Sequence, residues 1–333
     1  MSMHLEIYAG TAGHSAWFSH DLGQTWVHPN SHSGMYLEAR VWSFSAHPGE
    51  PHWLYAGTDM GLFRWDERTT RWTHLPSPMA DIWSLVQDPD HPEIIYAGTR
   101  PADFFRSIDA GLTWQKLPAP GLQKFSEINM GPTRVTQMLF DPKDHNTIWA
   151  VVEIGGVYRS TDRGNTWALK TEGLVSADMH GIVVVHDQSG KKILYATTNR
   201  GLHRSTDNGE SWVFQALDAP WQYTRGIVAR TDNDAVIFLT NGNGPPGSTG
   251  KLWRSEDYGY TWKELTLPGT LNSTPWAVAT HPHNPALLFT YTNLGQLFRS
   301  EDGGDQWTRL PHEFGELRAL CWRVAEYPAN RPA

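Results

Sequence analysis

Short apolar runs, rich in β-branched and aromatic residues and each about the length of a strand, recur along this chain. One set reads IYAGT, LYAGT, IYAGT, IWAVV, LYATT, IFLTN and LFTYT. A second set lies further upstream and often ends in Asp-Pro or His-Pro: RVWSFSAHP, DIWSLVQDP, RVTQMLFDP, HGIVVVHDQ, RGIVARTDN and TPWAVATHP. A polar turn follows each member of the first set. Six of these turns fit S-x-D-x-G-x-[TSQ]-W, starting at Ser19, Ser107, Ser160, Ser205, Ser255 and Ser300. A seventh, RWDERTTRW, is degenerate and holds Asp66 and Trp72. The aspartates fall at 21, 66, 109, 162, 207, 257 and 302, in steps of 45, 43, 53, 45, 50 and 45. That is about the length of one four-stranded propeller blade. Each unit therefore predicts strand A, turn, strand B, loop, strand C, Asp turn, strand D.

The ends of the chain complete each other. The N-terminus starts at a strand B, Ile7 to Thr11, with no strand A of its own, and the C-terminus carries a spare strand A, ELRALCWRVAEYP, from Glu316. Pairing the last strand into the first blade would close the ring and remove the exposed sheet edges. The expected fold is all-β: a seven-bladed β-propeller with Asp turns, closed by the C-terminal strand, as one domain over residues 1–333.

The S-x-D-x-G-x-T-W turn resembles the Asp box, or bacterial neuraminidase (BNR) repeat, of sialidases, xyloglucan-cleaving glycoside hydrolases, the sortilin ectodomain and photosystem II assembly factors. The resemblance runs over nearly the whole chain. It implies the propeller fold and places the turns at the blade periphery, while the relatives differ in function. Two of the catalytic relatives differ visibly. The F/Y-R-I-P segment and six blades of sialidases are not found here, and the xyloglucan enzymes use a cleft between two tandem propellers.

The turn has a physical reading of its own. The aspartate accepts backbone N–H groups inside a tight loop, the glycine stands where a side chain would be strained, and the tryptophan packs between sheets. Seven copies read as structure, because an active site uses one constellation.

Function is therefore sought on the other rim, where the D–A and B–C loops surround the axis. Those loops are long and uneven: 28–38, 118–132, 171–179, 217–223 and 241–250. Aligning the repeats at the starts of the A strands gives Arg40, Asp81, Arg134, His180, Arg225, Thr274 and Arg318. Four arginines around one mouth repel each other and favour a bound anion, and guanidinium suits carboxylate, sulfate or phosphate. The competing reading is a structural network with Glu38, Glu127, Glu153, Asp178 or Glu316. His180 with Asp178 forms a candidate acid–base pair, set against a plain hydrogen-bonding histidine. Trp221 and Tyr223 flank Arg225 and could stack on a sugar, or simply pack against a loop.

Composition adds little to this. Hydrophobic residues make up 39% and charged residues 19%, the range of a folded chain. A formal charge of −8 argues against a nucleic-acid partner. No apolar stretch approaches the ~18 residues of a membrane span, and no basic-then-apolar leader opens the chain, so a cytoplasmic location is expected. Cys321 is the only cysteine, which leaves no internal disulfide framework. No cofactor or metal motif is present, and His281-Pro-His283 falls at an A–B turn on the opposite rim. Two functions follow. One is a propeller enzyme, hydrolase or lyase, acting on an anionic small molecule or carbohydrate in an arginine-ringed axial pocket. The other is a non-catalytic scaffold for a peptide or protein.

Overall fold

The computed structural model describes residues 2–67, 69–128 and 130–327. Among them there is no helix; every regular element is a strand, and the sheets are antiparallel. The apolar runs become B strands in the middle of their blades. Ile95–Thr99 and Leu288–Thr292 are buried at every position. A strand covered on both faces needs a continuous apolar run rather than alternation, which is what these segments supply.

Blade 2 runs Val41–His47, Glu50–Thr58, Gly61–Asp66 and Arg71–Leu75, hydrogen-bonded in that order. Blades 3 to 7 repeat the order, with A strands at Ile82–Gln87, Arg134–Asp141, Met179–His186, Tyr223–Arg230 and Pro275–Ala279. A small hairpin, Phe125–Ser126 with Gly131–Pro132, is inserted between blades 3 and 4. Blade 1 takes Ser2–Thr11 as strand B and Ala16–Ser19 as strand C, with a bridge from Phe18 to Val27 in place of strand D. Its strand A is Leu317–Tyr327, from the other end of the chain. The seven A strands touch in cyclic order, so the ring is closed and has seven blades.

Each Asp turn is a hydrogen-bonded unit. In blade 4, Asp162 Oδ1 accepts Thr166 N (2.8 Å) and Ser160 Oγ (2.8 Å), while Asp162 Oδ2 accepts Thr166 Oγ1 (2.7 Å). Ser160 Oγ in turn accepts Gly164 N, and Trp167 Nε1 donates to Gly164 O. Arg163 (φ 55°) and Gly164 (φ 85°) both take the left-handed conformation, which favours glycine at the second of them. The turns also join the blades. The arginine before the serine reaches the next blade's turn: Arg106 to Arg163 O, Arg159 to Asn208 O, Arg254 to Gly303 O. Arg299 of blade 7 reaches Leu22 O of blade 1, continuing the series across the closure.

The closing strand carries a buried charge cluster. Arg323 pairs with Glu6 (2.7 Å) and Glu67 (2.6 Å), and Tyr8 donates to Glu6. Removing one partner of such a cluster strands a buried charge, so it holds blades 1 and 2 in one register.

Candidate functional site

The A strands do not enter the channel straight. Each is paired to its B strand through a bulge near its start, and the residue opposite nothing is turned toward the axis. The skipped positions are Trp42, Trp83, Thr136, His180, Arg225 with Gly226, Trp276 and Arg318. All of them line one axial pocket of about 250 Å³. The alignment at the strand starts is therefore corrected. His180, Arg225 and Arg318 are equivalent, but their counterparts in the other blades are Trp42, Trp83, Thr136 and Trp276. Arg40, Asp81, Arg134 and Thr274 lie two residues upstream of the bulge. A bulge adds one unpaired residue, so a register counted from sequence echoes slips there.

The four arginines accordingly have four different situations. Arg40 is exposed and stands away from the pocket. Arg134 lies just outside the lining, paired through two nitrogens with Glu153, its Cζ 4.1 Å from the centre of the Trp83 ring. Arg318 lines the pocket and is paired with Glu316. Arg225 lines the pocket with its Cζ 3.9 Å from the Trp276 ring and, among the described residues, makes no ion pair with a carboxylate. Of the five carboxylates that could have neutralised the ring, Glu153 and Glu316 do so for two arginines.

Three tryptophans complete the lining, and the repeat alignment does not pick them out. Trp42 and Trp83 stack at 4.1 Å, and Trp42 Nε1 donates to Asp81 (2.7 Å). Arg318 lies between Trp42 (5.9 Å) and Trp276 (5.2 Å). Guanidinium and indole groups thus follow one another along one arc: Arg134, Trp83, Trp42, Arg318, Trp276, Arg225. The indole faces hold the guanidinium groups in place while leaving their N–H edges as donors. The signal in the sequence is a tryptophan at the third position of three A runs.

His180 lines the pocket beside Arg225, whereas Asp178, its candidate partner, lies outside the lining. His180 is buried, and its Nδ1 lies 2.6 Å from Thr224 O, which fixes the proton on Nδ1 and leaves Nε2 with the lone pair. Nε2 is 3.6 Å from Asp178 Oδ1. Burial and the charge of Arg225 hold the imidazole well below its usual range, so it is neutral at pH 7. Burial, then the neighbouring Glu153, pushes the Asp178 carboxyl up to about 6, against the pull of Arg225 and Arg134. Burial also raises the Asp81 carboxyl. The Tyr223 ring packs 4.9 Å from His180, and burial raises its hydroxyl. Trp221 is outside the lining; its carbonyl accepts Asn241 Nδ2. His281 and His283 stack on each other at 5.0 Å, with His281 against Trp322. Among the described residues no three His, Cys, Asp or Glu side chains gather closely enough to hold a metal ion.

The fold and its turns define the class, a seven-bladed β-propeller built from Asp-box repeats. Comparison with known proteins agrees. The BNR-Asp box repeat family model matches residues 252–265, the C strand, turn and D strand of blade 6. A curated xyloglucanase from a Paenibacillus species is 26% identical over 240 residues, which cover 62% of this chain and 23% of that protein. The chain thus matches about a quarter of that relative's length. Among solved structures, the GH74 xyloglucanase of Xanthomonas campestris superposes with a TM-score of 0.62 at 23% identity, over 81% of this chain and 45% of that one. YCF48 bound to a D1 peptide gives 0.56 at 16%, over 81% and 80%, and YCF48 of Cyanidioschyzon merolae 0.55 at 15%, over 85% and 87%. At these identities the likeness is one of fold.

Proposed function

We propose that the protein is a propeller enzyme that binds an anionic small molecule or the acidic end of a carbohydrate in the axial pocket and removes a proton beside the carboxylate, as a lyase does. The observation that carries this reading is Arg225, stacked on Trp276, facing the pocket and, among the described residues, without a carboxylate of its own. Arginine held on a ring presents a fork of donors that matches a carboxylate. Once that carboxylate is bound, the proton on its α-carbon becomes more acidic. His180 Nε2 is the lone-pair base on the same wall, Thr224 O holds the Nδ1 proton behind it, and the Asp178 carboxylate beside Nε2 stabilises the imidazolium that forms. Elimination follows when the β-carbon–oxygen bond breaks, giving a carbon–carbon double bond conjugated to the carboxylate, and the leaving oxygen departs as an alcohol by taking a proton from the imidazolium or from water.

Hydrolysis of a glycoside fits less well. It asks for two independent carboxylic groups flanking the bond, and Glu153 is tied up by Arg134. A pocket of about 250 Å³ falls just below the usual ~300–1,000 Å³ of ligand sites. It has room for one ring at a chain end rather than for the middle of a polymer.

The test is incubation with oligogalacturonate and glucuronate-capped oligosaccharides, with neutral xyloglucan oligosaccharide as comparison. Ultraviolet absorbance from the new double bond, absent in Arg225→Ala and His180→Ala, is the expected result. New reducing ends without that absorbance would replace the lyase by a hydrolase, and no product from any acidic substrate would contradict the enzyme reading. One observation favours the scaffold instead. Phe125, Ile128 and Met130, on and around the hairpin before Arg134, are 60%, 84% and 83% exposed, and such apolar surface suits a protein partner. YCF48, whose solved complex holds a D1 peptide, shares the fold.

A further inference from the structure

We infer that the pocket takes a small carboxylate in exchange for a proton site: the ligand's carboxylate engages Arg225, and Asp178 takes up one proton as it binds. This rests on the anion-pocket reading above and adds the coupling. The ground is the arrangement of charges around Asp178. Its backbone bridges to Glu153 at the end of the blade 4 B strand, so the two carboxylates lie side by side. Glu153 is paired with Arg134 through two of its nitrogens. Asp178 Oδ1 is buried without a hydrogen-bond donor. The groups facing it are His180, with Nδ1 committed to Thr224 O, Tyr223, and the cations Arg134 and Arg225.

Of these two cations, Arg225 is the one with no carboxylate paired to it among the described residues. In the empty pocket its field, together with that of Arg134, favours the ionised Asp178. A carboxylate on Arg225 cancels that field and adds a second negative charge beside Glu153. Protonating Asp178 removes the excess. The carboxyl already stands at about 6 without ligand, so a modest further rise carries it through neutral pH. Sugar acids stay fully ionised over the same range, so a pH dependence between 6 and 8 belongs to the protein.

The experiment is isothermal titration of D-glucuronate into the intact protein at pH 6 and pH 8, each in two buffers of different ionisation enthalpy. The expected result is binding about 5–20-fold tighter at pH 6, with net proton uptake near neutrality, as linkage requires. Asp178→Asn should bind at pH 8 about as tightly as the wild type does at pH 6 and exchange no proton. Equal affinity at both pH values with no proton exchange in the wild type overturns the coupling while leaving Arg225 as an anion site. No binding at either pH overturns both. Because the proton count is read on the unmodified protein, the coupling is decided even if the variant folds poorly.

Discussion

Asp178 shows how a single residue can be costly to the fold and useful to the site. Its carboxyl is raised to about 6, above the ~3.9 of an unfolded chain. Between those values the folded state keeps a proton that the unfolded chain releases. Stability therefore falls as pH rises through that window, and the penalty is complete above pH 6. Asp178→Asn is expected to raise the melting temperature at pH 7.5, by a relief of about 1–3 kcal/mol, and to leave it unchanged at pH 4. A variant no more stable at pH 7.5 would mean that the carboxylate is not strained by its surroundings. Asp207 has the opposite sign. Its turn lowers it to about 2, chiefly through Ser211, so its contribution is present above pH 4 and lost as pH falls towards 2.

Among the elements, the Asp turn is the part that sequence reads well. Its serine, aspartate, glycine and tryptophan all act within eight residues, so the spacing alone reports the geometry. Asp257→Ala removes the acceptor of Thr261 N, Thr261 Oγ1 and Ser255 Oγ. A loss of about 1–3 kcal/mol is expected, read as a lower denaturation midpoint, with anion binding unaffected because the turn lies at the other end of the blade. The A strand is read less well. Its bulge is set by how the strand meets its neighbour, and no local pattern announces it. Counting from strand starts puts Arg40 and Asp81 on the pocket wall and misses Trp42, Trp83 and Trp276, which the bulge turns inward. His180 and Arg225 are found that way because their own runs begin at the bulge, whereas Arg318, like the tryptophans, is the third residue of its run and stands out only as another arginine. The division of arginines into paired and unpaired is beyond such counting too, since Glu153 meets Arg134 only when strands A and B pair.

For the molecule as a whole, closure is legible because each end of the sequence lacks what the other supplies. The structure adds what holds them: the long pairing of Ser2–Thr11 with Leu317–Tyr327, and the cluster Glu6, Arg323 and Glu67. Truncation after Glu316 should leave blade 1 open on both sides and give an aggregating product without a cooperative melting transition. Arg323→Met is milder in shape but strands two buried carboxylates, and a loss of about 3–5 kcal/mol is expected. A truncated protein that melts like the full chain would show that the ring does not depend on its closing strand. The closed ring matters for function because it fixes seven bulges around one axis, and only then do Arg225, Arg318, His180 and the tryptophans share a pocket.

Every functional role assigned to that pocket depends on Arg225 being its anion-binding group. Titration of D-glucuronate at pH 6 into the wild type and into Arg225→Ala isolates this dependence. Measurable binding by the wild type is expected, with at least about a tenfold loss in the variant, a change of 1.4 kcal/mol or more, and a preserved circular dichroism spectrum. Equal affinities in the two proteins would contradict the role of Arg225.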